Sequence, residues 1–91
     1  MRTVILNGAE IAEMEDVHAA FAAALDFPEW YGRNLDALYD MLTMPQEPVT
    51  VVFRYPALLE DALGRRFRTL RRVLRDAAEE NPGIILELEE K

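Results

Sequence analysis

Three short apolar segments, each separated from the next by two helical patterns, constrain the fold more than any other feature. The segments are residues 3–6, 49–53 and 84–88, and the second is a continuous run of β-branched and aromatic residues. Such a run is typical of a strand whose two faces are both covered. Because helical crossovers join parallel strands, the order β-α-α-β-α-α-β predicts an α/β fold, with a three-stranded parallel sheet packed by about four helices.

The helices are indicated by apolar spacing and by residues that begin or end helices. Residues 14–25 have an apolar side chain every four positions, and Asn34 is a good N-cap for a second helix. Two prolines in residues 44–48 then break the chain. Pro56 begins a third helix that ends before Gly64, and a longer fourth helix follows. The helical residues that we expect to be buried are Val17, Phe21, Leu25, Leu38, Met41, Leu42, Phe67, Leu70, Leu74 and Ala77.

Composition limits the partners and the compartment. The chain has 91 residues and a net charge of −7, and we expect one domain over residues 1–91. Residues 1–64 contain 11 acidic and 3 basic side chains, so we expect a basic partner and no direct binding to nucleic acid. The chain has no cysteine, which excludes disulfides. It also lacks an apolar stretch long enough for a signal peptide or a membrane span, so we expect a cytoplasmic protein that does not bind a membrane.

The segment FPEWYGRNLDALYDML, residues 27–42, is the candidate functional region. Its helical part places two carboxylates and an aromatic ring on the side opposite its leucines. The side chains on that exposed side are Asp36, Tyr39, Asp40 and Thr43, with Leu35 at its border. Trp30, the only tryptophan, precedes this helix and is a candidate recognition anchor. The residues alone leave open a second interpretation, in which the Trp-Tyr pair is a packed corner and the aspartates are ordinary surface residues.

An enzyme hypothesis must also be weighed. Asp36 and Asp40, with Glu29 nearby, could hold a divalent metal ion or act as an acid/base pair. We give this hypothesis less weight because metal sites usually need more oxygen ligands and carboxylates four residues apart are common. His18, the only histidine, is expected to be a packing or surface residue.

Six of the ten basic residues lie in the fourth helix: Arg65, Arg66, Arg68, Arg71, Arg72 and Arg75. They could form an RNA-binding stripe. We interpret them as a solvated helix face with Arg72–Asp76 and Arg75–Glu79 ion pairs. The domain is acidic overall and no aromatic residues alternate with the arginines, which disfavours binding to RNA.

The run PEWYGRNLDALYD resembles the signature of the barstar family of small intracellular ribonuclease inhibitors. The likeness continues through Asn7-Gly8, His18, Pro48, residues 73–77 and the closing apolar strand. It implies a three-stranded parallel sheet packed by helices. It also implies an immunity protein or antitoxin without catalysis or cofactor, which blocks the active site of a secreted, barnase-like ribonuclease in a one-to-one complex. We expect the free protein to be a monomer.

The resemblance also implies residue roles. It places Asp40 in the phosphate-binding site of the ribonuclease, where a carboxylate can replace a phosphate. Asp76, on the last helix, matches an acidic residue that faces the partner. The other positions that match the interface are Trp30, Gly32, Asn34, Leu35, Asp36, Tyr39 and Thr43.

The sequence departs from the family pattern around this face. Trp30 stands where a tyrosine is usual and Tyr39 where a tryptophan is usual, while Asp76 is one methylene shorter than the usual glutamate. The loop over residues 44–47 also differs. These changes affect which ribonuclease would be bound, and they leave open a barstar-like binding module for a different nuclease or basic protein. The sequence also leaves open whether the peptide bond before Pro48 is cis.

Overall fold

The computed structural model describes residues 2–44 and 46–89, and it contains the predicted strands and helices in the predicted order. Pro45, part of the predicted break between the second helix and the second strand, lies outside the described residues. The bounds of the elements are β1 Arg2–Asn7, α1 Met14–Leu25, α2 Leu35–Thr43, β2 Val49–Arg54, α3 Pro56–Leu63, α4 Arg65–Glu80 and β3 Ile84–Glu89.

The three strands form one parallel sheet in the order β1-β2-β3. Val51 at the centre of β2 pairs with Val4 of β1 on one side and with Leu86 of β3 on the other. Paired residues of a parallel sheet point to the same face, so these three side chains lie together. The predicted α/β class and parallel arrangement are therefore confirmed.

The apolar core lies on one face of the sheet. Residues from all four helices pack there against Val4, Leu6 and the inward side chains of β2. On the opposite face, Thr50 and Val52 are buried, but the flanking Ile5 and Ile85 are 42% and 45% exposed. The expectation of a strand covered on both faces thus holds for β2, whose residues 49–53 are all buried.

The predicted ends of the helices are confirmed by their local geometry. Pro56 is at the first turn of α3, and Gly64 separates α3 from α4 with φ 58° and ψ −129°, a region open to glycine. Most residues expected in the helical core are buried, but Met41 is only half-buried. The Glu47–Pro48 bond, which the sequence left open, is trans, as is every other peptide bond in the described residues. None of the helices in the described part of the chain is long and apolar enough to span a membrane.

Candidate functional site: an acidic and aromatic face

Helix α2 begins where the sequence predicts, because Asn34 caps it. The Asn34 Oδ1 atom accepts a hydrogen bond of 2.8 Å from the backbone N–H of Ala37. Asp36 lies in the first turn, where the helix dipole favours a negative charge, and Asp40 follows one turn later. Both aspartates are exposed, whereas Leu38 on the opposite side is fully buried. The cap therefore fixes the direction in which the two carboxylates point.

The loop before α2 separates the roles of its two adjacent aromatic residues. Trp30 is 75% exposed, whereas Tyr31 is only 6% exposed. The Tyr31 hydroxyl lies 2.7 Å from Nδ1 of His18, and its ring meets the Phe27 ring edge-on with 4.8 Å between centroids. Burial is the main cause that raises the pKa of Tyr31 to about 12. The packed-corner interpretation thus holds for Tyr31, whereas Trp30 is exposed and its role as a recognition anchor stays a prediction.

A cleft of about 250 Å³ lies between this loop and α2, and Asp40 is at its margin. Its lining also includes Trp30, Tyr31, Gly32, Ala37, Met41 and Met44. Met44 is 50% exposed, and a methionine can adapt its shape to a partner. The sequence prediction omitted both methionines and Tyr31. The sequence contained a signal for Met41, because its place on the helix borders the exposed side and so makes it accessible to a partner.

Gly32 and Thr43 both contribute to the local structure of the face, and their predicted contacts with a partner stay predictions. A Cβ atom at Gly32 would lie 3.2 Å from Nδ2 of Asn34, so a side chain there would crowd the helix cap. The Thr43 hydroxyl donates a hydrogen bond of 2.9 Å to the backbone carbonyl of Tyr39. Leu35 is half-buried against the core, consistent with its predicted place at the border of the face.

Helix α4 adds negative charge beside α2. Tyr39 is partly buried, and burial raises its pKa, with further contributions in the same direction from the carboxylates of Glu80, Asp76 and Asp40. Asp76 is therefore near enough to α2 to act electrostatically on its ring. Asp76 and Asp40 thus both raise the pKa of Tyr39, one from α4 and the other from α2.

Asp36 and Asp40 have no ion-pair partner among residues 2–44 and 46–89. The nearby Arg33 contacts Glu15 of α1 instead. No group of three or more potential metal ligands occurs in the described residues, so the metal hypothesis for Asp36, Asp40 and Glu29 finds no supporting geometry. Both carboxylates are therefore exposed to solvent without a cation of their own among the described residues, and Asp40 lines the same cleft as the exposed Trp30.

The expectation of two ion pairs along α4 is wrong. Neither Arg72–Asp76 nor Arg75–Glu79 forms, and the ion pair that α4 makes within the described residues is Arg68–Glu60, at 3.8 Å. All of these side chains are exposed, where an ion pair four residues apart gains only about 0.3–0.5 kcal/mol and must order two long side chains.

His18, expected to be a packing or surface residue, is a core residue. It is 4% exposed, and burial is the main cause that lowers its pKa.

The fold and this face define a class of small α/β protein: a parallel three-stranded sheet with four helices, one of which exposes carboxylates beside an aromatic side chain. Within that class the chain belongs to the barstar family. Residues 1–89 match the family described as Barstar (barnase inhibitor). The chain is also similar to the Bacillus subtilis (strain 168) protein named "Putative ribonuclease inhibitor YrdF", with 37% identity over 81 residues, which cover 88% of this chain and 89% of that protein. The resemblance to the family is confirmed.

Proposed function

We propose that this protein is an inhibitor of a basic, barnase-like ribonuclease, which it binds one-to-one without catalysis of its own. The observation that carries the proposal is the exposed pair Asp36 and Asp40, which pair with no cation within residues 2–44 and 46–89, together with the exposed Trp30, which lines the same cleft as Asp40. Membership of a family described as barnase inhibitors, and the name of the Bacillus subtilis relative, support it. In this role the protein acts in the cytoplasm of the cell that makes the ribonuclease, as an immunity protein or antitoxin.

The mechanism is substitution of a carboxylate for a phosphate. A ribonuclease active site binds an anionic backbone, so it concentrates positively charged and hydrogen-bond-donating side chains. Asp40, at the margin of the cleft beside Trp30, accepts charge-assisted hydrogen bonds from those donors. Asp36 adds a second acceptor one turn earlier. Because Asp40 has no ion-pair partner in the part of the chain that the structure describes, it loses mainly hydration on binding, and several donors of the ribonuclease replace that hydration.

Charge also favours the encounter. Residues 1–64 carry 11 acidic and 3 basic side chains, and Asp76 adds a carboxylate beside Tyr39. An acidic face of this kind attracts a basic partner and raises the association rate at low ionic strength. The same charge repels the phosphates of RNA, so we do not expect RNA to bind this face.

Calorimetric titration of the protein with a barnase-type ribonuclease tests the proposal. We expect tight one-to-one binding that weakens as salt is added, is lost to a large extent in Asp40→Ala, and is accompanied by inhibition of RNA cleavage. Asp61→Ala is the matched control, because it removes the same charge from an exposed position on α3, a helix that contributes no residue to the proposed face. Absence of binding would overturn the choice of target and would favour the alternative, a binding module for a different nuclease or basic protein.

A further inference from the structure

The two flanks of helix α4 carry opposite charge. The flank that approaches Tyr39 and α2 carries Asp76 and Glu80. The other flank adjoins β3, and there Arg71 and Arg75 line a groove between the helix and the strand. The basic flank is thus separated from the acidic face by the width of the helix, and the proposed inhibitor function does not use it.

The groove has an apolar floor and a basic margin. Its volume is about 210 Å³, and Phe53, Leu86 and Leu88 form its apolar part. The guanidinium group of Arg71 lies 5.7 Å from the centroid of the Phe67 ring, which holds it at the margin. Neither Arg71 nor Arg75 pairs with a carboxylate anywhere in the described ranges. Glu87 also lines the groove, but it alternates with Leu86 and Leu88 along β3, so its side chain points to the other face of the sheet.

The strand beside the groove has a free edge. β3 pairs with β2 only, so within the described sheet its outer backbone groups have no neighbouring strand. Leu88 is 58% exposed and Ile85 is 45% exposed, one on each face of this strand. An unpaired strand with exposed apolar side chains is a template on which an extended segment can add.

We propose that β3 and the arginine-lined groove bind an extended acidic segment of another protein, which adds to the sheet as a fourth strand. Alternate side chains of such a strand point to opposite faces of the sheet. Acidic residues on one face would meet Arg71 and Arg75, and apolar residues between them would cover Ile85. The partner is therefore a segment in which acidic and apolar residues alternate, and charge complementarity selects it.

Two other occupants are disfavoured. Antiparallel pairing of β3 with β3 of a second copy would place both α4 helices on the same side of the joined sheet. The arginines of the two copies would then face each other and repel. RNA is disfavoured because Phe53, which is 3% exposed, offers no ring on which a base could stack.

The test uses ¹⁵N-labelled protein and an acetylated, amidated hexapeptide that alternates Glu and Val. We expect amide shifts confined to β3 and the adjoining side of α4, and affinity at least about tenfold weaker in the Arg71→Ala/Arg75→Ala double variant. Arg66→Ala/Arg72→Ala is the matched control, because it removes the same charge from α4 residues that do not line the groove. It should bind like the unmodified protein. A peptide with Lys in place of Glu should not bind.

The proposal is overturned if millimolar peptide causes no shifts at β3, or if the Lys peptide binds equally well. Equal loss in the two double variants would also overturn it, because that outcome shows only a general effect of charge. Binding of a single-stranded RNA oligonucleotide at the same residues, without binding of the peptide, would assign the surface to a different class of partner. The ribonuclease is absent from this experiment, so its outcome is independent of the proposed inhibitor function.

Discussion

Nδ1 of His18 lies 2.7 Å from the hydroxyl oxygen of Tyr31, and this buried hydrogen bond joins helix α1 to the loop that carries Trp30. The two residues are thirteen positions apart in the chain. Their rings also meet edge-on, with 5.8 Å between centroids. The pair therefore holds the base of the loop in the core, while the side chain of the preceding residue, Trp30, remains in solvent.

Removal of the Tyr31 hydroxyl should destabilise the fold. Tyr31→Phe keeps the ring packing against Phe27 but leaves Nδ1 of His18 buried without a partner, which costs about 1–3 kcal/mol. Urea denaturation measures the loss. Tyr55→Phe is the control, because Tyr55 is 36% exposed and water can replace its contacts, so its change should stay within about 0.5 kcal/mol. Equal stability of Tyr31→Phe and the unmodified protein would show that the hydrogen bond contributes nothing.

The stability of the protein should fall as the pH drops below the ordinary pKa of histidine. Burial is the main cause that lowers the pKa of His18 from 6.5, with Glu15 opposing the shift and Arg33 adding to it. The unfolded chain then binds a proton more readily than the folded chain. This contribution to stability is complete above pH 6.5 and decreases below it, by at most about 1.4 kcal/mol per pH unit.

Denaturation curves between pH 5 and pH 8 measure this dependence. In His18→Gln the slope over that interval should flatten, because the titrating group is gone. A slope that persists unchanged in His18→Gln would assign the pH dependence to other groups.

The junction between α3 and α4 should require glycine. At φ 58° and ψ −129°, Gly64 has a backbone conformation that L-residues rarely adopt, although no atom lies within 4 Å of a Cβ placed there. Gly64→Ala should therefore cost about 1–3 kcal/mol through backbone strain alone, measured by thermal or urea denaturation. Gly64→Asn should lose a similar amount, because this ψ is outside the left-handed helical region that asparagine tolerates. A stable Gly64→Ala variant would contradict the strain argument.

Local signals in the sequence were enough to predict the elements of the fold. The bounds of α1 follow from apolar residues every four positions, and the start of α2 follows from the capping side chain of Asn34. The run in β2 identified a buried central strand, but it could not reveal which elements bury each face. Neighbouring strands and packed helices remove water in the same way, so both leave the same apolar pattern.

The candidate site was predictable only where helical periodicity applies. The shared side of Asp36 and Asp40 follows from their spacing on α2. The division of roles between Trp30 and Tyr31 does not follow from spacing, because a loop has no period. The residue that holds Tyr31 in the core is His18, which lies in a different element. The absence of the Arg72–Asp76 and Arg75–Glu79 ion pairs was likewise missed, since the spacing of charges allows an ion pair without requiring that it form.

Trp30 should contribute to binding and hardly at all to stability. The side chain is 75% exposed, so Trp30→Ala should change the free energy of unfolding by less than about 0.5 kcal/mol. If the ring is an interface anchor, the same variant should weaken binding to a barnase-type ribonuclease by about 2 kcal/mol, measured by calorimetry. Leu88→Ala, at a 58% exposed position on β3, is the control that should leave this affinity unchanged. Equal affinities of Trp30→Ala and the unmodified protein would remove the tryptophan from the proposed interface.

The carboxylates of the face should contribute unequally to ribonuclease binding. Asp40 borders the cleft and would be desolvated among several donors, so Asp40→Ala should weaken binding most, by about 3–5 kcal/mol, because it leaves buried cations of the partner unpaired. Asp76 lies on the neighbouring helix beside Tyr39, where water screens it, and Asp76→Ala should cost about 1 kcal/mol or less.

The rate constants should separate the two roles. Asp40→Ala should act mainly on dissociation, whereas Asp76→Ala should act mainly on association and lose its effect at high salt. Stopped-flow association and surface-based dissociation measurements at two salt concentrations provide both values. Equal losses of affinity in the two variants would contradict this order, because they would mean that Asp40 is no more deeply engaged by the ribonuclease than a charge at the margin of the interface.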